Sequence, residues 1–461
     1  TLAVTRDYTT RKLNDGAIAL ANLAMGECFH PSHDIRRAGV TATLKHNSRR
    51  IHMFAEIGCI LADALAFKEI LGCKGHNGTK CCLLCMNCTH HKPPSSGTPW
   101  HIKYPDYCVP SCEVDFERFK KFDADDPKKS IRSTIELLHS YKGVLGTGEF
   151  EDKEQELGWI YNPSNIVLND RYGIKLEKII MFDWGHVYVF DGLLGEEVGL
   201  CMSAFRKSRD AQTNFEDMGK YVEGWAYPGK RNVSNLFSEQ KIRSHYNNQT
   251  FSCTGQELIT LVPVLLRYFQ YVVLPRGRLV EHVKSLIACL GVVVLLMATR
   301  LFTVQPDELA AAIKVHLTYF RDVYGPDSMR PKHHYALHLP SMLFLFGLLL
   351  TTFVNERKHR IIKMYAHVRY NLQGFNVCAL EDCTMHQLWE LSLPFFNMYD
   401  SHQPRGRICH ALNALFPGVP DDKMTLHKQL KLHGGSSGTD DVVSYLHDGK
   451  FQAGQLKLVV G

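Results

Sequence analysis

A surplus of charge of either sign is what this sequence most lacks: 53 Lys and Arg stand against 47 Asp and Glu, a formal net charge of +6. That excludes a basic-tail protein, while a local basic face could still hold phosphate. Nothing at Thr1 to Lys12 reads as a secretory signal, since the stretch is polar and charged. Apolar runs of the roughly 20 residues that a spanning helix needs are also missing. The two longest lie between Lys284 and Arg300 and between Leu339 and Val354; the second carries Pro340, and both read as buried core helices. There is no internal repeat. Hydrophobic residues make up 45% and charged residues 22%, which excludes a mostly disordered chain. At 461 residues, one to three domains are expected in a soluble intracellular protein with no membrane partner.

What is abundant is His and Cys, 24 and 15 residues. An odd, crowded set of Cys suits metal binding in a reducing compartment better than a disulfide framework. The densest cluster is Cys81-Cys82-Leu83-Leu84-Cys85-Met86-Asn87-Cys88, where Cys82 and Cys85, or Cys85 and Cys88, have the spacing that presents two thiolates to one zinc. A group of buried free cysteines is the alternative. A redox pair is disfavoured, because no strand–CxxC–helix pattern surrounds the motif. One CxxC is half a tetrahedral site, and His333-His334-Tyr335-Ala336-Leu337-His338 is the candidate for the rest. His334 and His338 stack on one face of a helix, whereas His333 with His338 needs a bent backbone. A zincin is excluded, since Tyr335 stands where its Glu should be.

Along the chain, residues 15–27 read as an Ala-rich helix. Gly39 to Lys45 and Ile51 to Leu61 read as two strands, the second buried, and Ala64 to Leu71 as a helix. Residues 113–158 are highly charged and read as exposed helices. Gln256 to Tyr324 has helical spacing punctuated by Pro263, Pro275 and Pro306, and Asn355 to Leu372 has one apolar helical face. Gly434 to Gly438 reads as a flexible linker, with two short strands around Asp448-Gly449 beyond it.

Three carboxylates stand out. Asp63 ends an apolar strand and either holds a divalent metal, caps the helix at Ala64, or does both. Glu356 opens a basic helix and, on periodicity alone, pairs with Arg360 at i, i+4. Asp183 and His186 sit inside an apolar segment, as a structural ion pair or as support for a site.

In order, these motifs resemble DDE transposases with an RNase H-like catalytic core, of the CACTA and KDZ-like type and more distantly the Transib and V(D)J recombinase core. The resemblance spans roughly residues 38–372. It implies an α/β fold: an RNase H-like core interrupted by a large, mainly helical insertion, with a small β-rich C-terminal extension. Residues 1–100 would be the first part of the core with the CxxC half-site, and 101–330 the insertion. The His pair, the last acidic helix and the rest of the core would fill 331–432, and a linker with a truncated β extension 433–461. It implies a structural Zn²⁺ on Cys82, Cys85, His333 and His338, and catalytic Mg²⁺ on Asp63 and Glu356 for two-metal DNA cleavage and strand transfer. Arg357, Arg360 and Lys363 would contact DNA phosphates in the nucleus. Self-association stays open.

The family's first Asp, on the opening strand of its fold, has no counterpart. Asp7, Asp15 and Asp34 are not embedded in apolar strands, so the chain is expected to be a fragment or decayed copy that does not cleave DNA unaided. The rival expectation is a zinc-stabilised DNA- or protein-interaction module with no catalysis.

Overall fold

The computed structural model describes residues 15–43, 50–75, 78–90, 108–210, 212–225, 227, 233–353, 375–392 and 396–399, and strands at 426–427, 429–432, 435–438, 442–447, 450–455 and 459–460. The chain is mainly helical, with short strands in small sheets. Two compact units divide it, one drawn from Leu2–Glu223 and Ser234–Arg360, the other from Gly224–Val233 and Ile361–Gly461. The expected boundaries at 100 and 330 therefore fall inside the first unit.

In that unit α1 (Gly16–Cys28) precedes an antiparallel hairpin of β1 (Val40–Thr43) and β2 (Arg50–Met53). The single buried strand expected from Ile51 to Leu61 is instead two separate pieces. β2 is largely exposed, and the chain becomes a strand again only at β3 (Ile60–Ala62), after Glu56 and Gly58. Polar and glycine positions interrupt the ladder that the apolar residues alone suggested.

Directly after β3, α2 (Ala64–Leu71) ends at Gly72, whose φ of 71° is the left-handed C-cap that a Cβ would disfavour. Short strands β4 (Cys88–Thr89) and β5 (Val109–Pro110) pair in parallel. The charged segment then forms α3 (Ile131–Tyr141) and α4 (Thr147–Leu157). α3 is not merely a solvated helix: Ser130 caps it, and Ile131, Ile135 and Leu138 recur at helical spacing and are fully buried.

β6 (Ile180–Phe182) returns to pair in parallel with β3, Ala62 opposite Phe182. The next residues, Asp63 and Asp183, thus follow neighbouring strands at their carboxyl ends. Each caps the helix it begins, α2 and α5 (Trp184–Tyr188).

The remainder of the unit is helical: α6 (Leu193–Lys207), α7 (Phe215–Glu223), α8 (Glu239–Asn248), α9 (Gly255–Tyr268), α10 (Val280–Ala298) and α11 (Pro306–Tyr324), then the short α12 (Pro331–Ala336) and α13 (Leu339–Phe346). A reciprocal cap of Thr254 and Glu257 starts α9, and Pro306 opens α11 at the one turn where its missing N–H costs nothing. Pro263, expected to break the helix, lies inside α9. Burial of Leu258, Leu261, Val262 and Leu265 around it holds the helix despite the lost hydrogen bond. Close packing is enforced at Gly199 of α6, where a Cβ would lie 2.4 Å from the backbone of Gln249 and Thr250.

The apolar run near Lys284 is longer than the sequence suggested. Gly255–Arg276 and Val280–Leu301 are each 22 residues and apolar enough, by length and composition, to cross a membrane. A 3₁₀ turn at Thr299–Leu301 carries the second past Ala298. About half of each is buried within the protein, and α10 packs on α6, α9 and α11 through Val283, Leu286, Leu290 and Val293. A bundle core accounts for that composition. The run after Leu339 yields only α13, eight residues long, closed by Gly347 at φ 74°.

Among the described residues the smaller unit holds α14 (Phe375–Ser392) and three small antiparallel sheets. β7 (Phe396–Tyr399) and β10 (Gly435–Gly438) flank β9 (Gln429–Leu432); β8 (Leu426–His427) pairs with β13 (Val459–Val460). The expected linker GSSG is therefore a strand, because a ladder is made by backbone groups that Gly and Ser also carry. β11 (Val442–His447) and β12 (Lys450–Gln455) pair from His447 opposite Lys450, the hairpin that Asp448-Gly449 signalled.

Candidate metal centre

The loop after α2 carries the cysteines, and it is fixed by its own backbone. Met86 N donates to Lys120 O, Phe122 N donates to Leu84 O, and Asn87 reaches Lys120 N and Arg118 O. Opposite it, α12 and the start of α13 present two imidazoles. Tyr335, between them, donates its hydroxyl to Cys81 O at 2.5 Å and so ties the helix to the loop.

Cys82, Cys85, His334 and His338 converge, all buried, with their ligand atoms within 4.8 Å of one another. Cys85 Sγ lies 3.4 Å from His334 Nε2 and 3.3 Å from His338 Nε2; Cys82 Sγ lies 3.4 Å from His338 Nε2, and the two Nε2 atoms are 3.2 Å apart. With Zn–S about 2.3 Å and Zn–N about 2.0 Å, a tetrahedron has S···N edges of about 3.5 Å and an N···N edge of about 3.3 Å. The four side chains therefore stand at the spacing of a Cys₂His₂ site and could hold a metal such as zinc. Of the two adjacent imidazoles it is His334, not His333, that belongs to the group. His333 faces the other way, its Nδ1 accepting from Arg330 N at 2.8 Å as part of the α12 cap. The i, i+4 geometry of a helix wins over the five-residue spacing that the resemblance suggested.

Cys88 does not join. Its sulfur lies 3.7 Å from Cys81 Sγ, and this pair stands beside the group. Phe119, Phe116 and Phe182 pack edge-on against the imidazoles, with ring centres 4.3 Å from His334 and 5.0 and 5.5 Å from His338.

Such dryness sets the electrostatics. Burial pushes the Cys82 thiol well above its ordinary range and the His338 imidazole well below its own. Burial also pulls on His334, but the neighbouring Cys82 and Cys81 sulfurs outweigh it and leave that imidazole raised. A dication reverses the penalty on the thiols, because two thiolates and one Zn²⁺ are neutral together. The aromatic wall was not legible in advance, since only the folded chain brings residues 116, 119 and 182 to one place.

The other expected site residues separate into two groups. Asp63 is half-buried, and its Oδ1 accepts from Ala66 N at 2.7 Å, so the capping role is realised. Among the described residues it joins no group of three or more potential ligands. Glu356, Arg357, Arg360 and Lys363 lie outside the described residues.

Asp183 is almost fully buried, and both its oxygens are committed. Oδ1 accepts from Gly185 N at 2.8 Å; Oδ2 meets His186 Nδ1 at 2.7 Å, Thr352 N at 3.1 Å and Thr352 Oγ1 at 2.5 Å. It is a structural hub. Burial works against its charge, but His186 and Thr352 prevail and hold its carboxyl below the usual range. Asp34 pairs with Arg36 at 2.7 Å, Asp15 precedes α1, and Asp7 lies outside the described residues. No protein-family model, curated protein or solved structure matches this chain.

Proposed function

We propose that this chain is a zinc-stapled DNA-binding and phosphoryl-transfer domain derived from a DDE transposase, catalytically incomplete by itself. The observation that carries this reading is the Cys82–Cys85–His334–His338 group, which joins two motifs about 250 residues apart in the order that the resemblance implies. In this reading β3, α2 and β6 belong to an RNase H-like core, and the helices from α6 to α11 form an insertion whose ends the zinc holds together. Asp63, at the carboxyl end of a parallel strand, would share Mg²⁺ with Glu356. Bound there, the ions would activate a water or 3′-hydroxyl and stabilise the leaving oxygen. Arg357, Arg360 and Lys363 would lie along the DNA backbone, and the protein would act in the nucleus.

Fluorescence anisotropy with a short DNA duplex tests the binding half. The zinc-loaded chain is expected to bind with an affinity that falls steeply between about 50 and 200 mM salt. Replacing Arg357, Arg360 and Lys363 by Ala should flatten that salt dependence by about one unit of log–log slope for each phosphate no longer neutralised. Absence of binding at about 50 mM salt would sink the reading.

A second reading, a zinc-stabilised interaction module without catalysis, is favoured by the cap that occupies Asp63 Oδ1. Mn²⁺ titration followed by electron paramagnetic resonance separates the two. Asp63→Asn preserves a capping oxygen, so stability should hold while Mn²⁺ binding drops if Asp63 is a ligand. Unchanged Mn²⁺ binding in that variant assigns Asp63 to capping alone.

A further inference from the structure

The helical bundle contains a second convergence of ligand-type side chains, which shares no residue with the first. Glu197 of α6, Cys289 of α10 and His316 of α11 are each fully buried, and one ligand atom from each lies within 4.8 Å of the others. Glu197 Oε2 is 2.9 Å from His316 Nε2. The outward atoms of both residues are held as well. Ser285, one turn before Cys289 on α10, donates to Glu197 Oε1 at 2.5 Å, and the Tyr188 hydroxyl lies 3.3 Å from His316 Nδ1.

From this arrangement we propose a second structural metal site, for zinc or a similar borderline divalent ion, built by Glu197, Cys289 and His316 at the junction of three helices. The donor set is carboxylate oxygen, thiolate sulfur and imidazole nitrogen, three of the four positions of the tetrahedron that class of ion prefers, with a water completing it. Ser285 and Tyr188 supply the outer hydrogen bonds that orient metal ligands: one fixes the carboxylate, the other accepts the Nδ1 proton and so leaves Nε2 as a donor of electrons.

Charge favours the same answer. A carboxylate in an apolar bundle needs compensation, and one carboxylate, one thiolate, one neutral imidazole and one dication sum to zero. Metal entry would release the Cys289 thiol proton and the proton shared between Glu197 and His316. Without a metal the Cys289 thiol hydrogen-bonds Glu197 and Glu197 meets His316; with one, the same three side chains form a single ligand set.

Cobalt loading of the full chain tests this, because thiolate-to-cobalt absorption in the near ultraviolet counts sulfur ligands. The parent should take up about two ions per chain. A Cys82→Ser/Cys85→Ser variant should keep about one ion, with about a third of the thiolate band, and adding Cys289→Ser should remove it. Should the double variant lose its helical circular dichroism, Cys289→Ser in the otherwise native chain gives the reading. It should lower the count from about two ions to about one and the band by about a third. A parent that holds a single ion, or a Cys289→Ser chain with count and band unchanged, would overturn the proposal.

Discussion

At the scale of single residues, the choice between neighbouring imidazoles decides the metal centre. His334→Ala should lower the zinc content by about one ion per chain, because it removes a candidate ligand of the four-residue group. His333→Ala should retain zinc while costing about 2–5 kcal/mol, as expected for truncating a fully buried ring. Zinc content and chemical denaturation of the two purified variants check this, and zinc lost from His333→Ala but kept in His334→Ala would reverse the assignment. The sequence carried most of this site. The CxxC spacing and the i, i+4 pair could each be read from residue type and interval. Their meeting could not, since nothing local to residue 85 indicates what lies some 250 positions later. The bundle triad was less visible still: Glu197, Cys289 and His316 lie on three different helices with no motif spacing between them. A charged residue on a buried stripe was the one available signal.

Among elements, β6, α5 and the segment after α13 are joined through Asp183. Its folded-state pKa is lowered, so the stability it contributes is fully present above the unfolded value near pH 4. That contribution disappears as pH falls through the lower folded value. Thr352→Val, which deletes the hydroxyl at 2.5 Å from Asp183 Oδ2, should cost about 1.5–3 kcal/mol at neutral pH and progressively less below about pH 4. Denaturant melts at pH 7 and pH 3 measure the difference; an equal loss at both would exclude the charged hydrogen bond as its source. α11 was legible because its burial follows the apolar spacing, whereas α3, expected to be exposed, hides a buried Ile131–Ile135–Leu138 stripe among charged residues. Strands were not legible. β2 and β3 are short and interrupted, and β10 is made of Gly and Ser, so their pairing rests on backbone groups that leave no residue signature.

For the whole molecule, zinc bound at the four-residue group would be a folding element of the larger unit, adding to the Tyr335 bond that ties α12 to the cysteine loop. Treatment with a strong chelator at neutral pH should speed proteolysis within that unit, with early cuts near the 81–90 loop, and readdition of zinc should restore resistance. Proteolysis at an unchanged rate would show that aromatic packing alone holds the segments together. Acidification should act in the same direction as chelation, because the ligands bind metal only when deprotonated and protons compete for them as pH falls.

The separation of 249 positions between Cys85 and His334 also sets a schedule for synthesis. At roughly 5–20 residues per second, the cysteine loop emerges from the ribosome about 12–50 s before the imidazoles that complete it. Throughout that interval Cys82 and Cys85 are thiols without the imidazoles they meet in the fold, open to oxidation or to capture of metal by sulfur alone. A reducing environment during synthesis is therefore expected to raise the fraction of chains that go on to bind zinc.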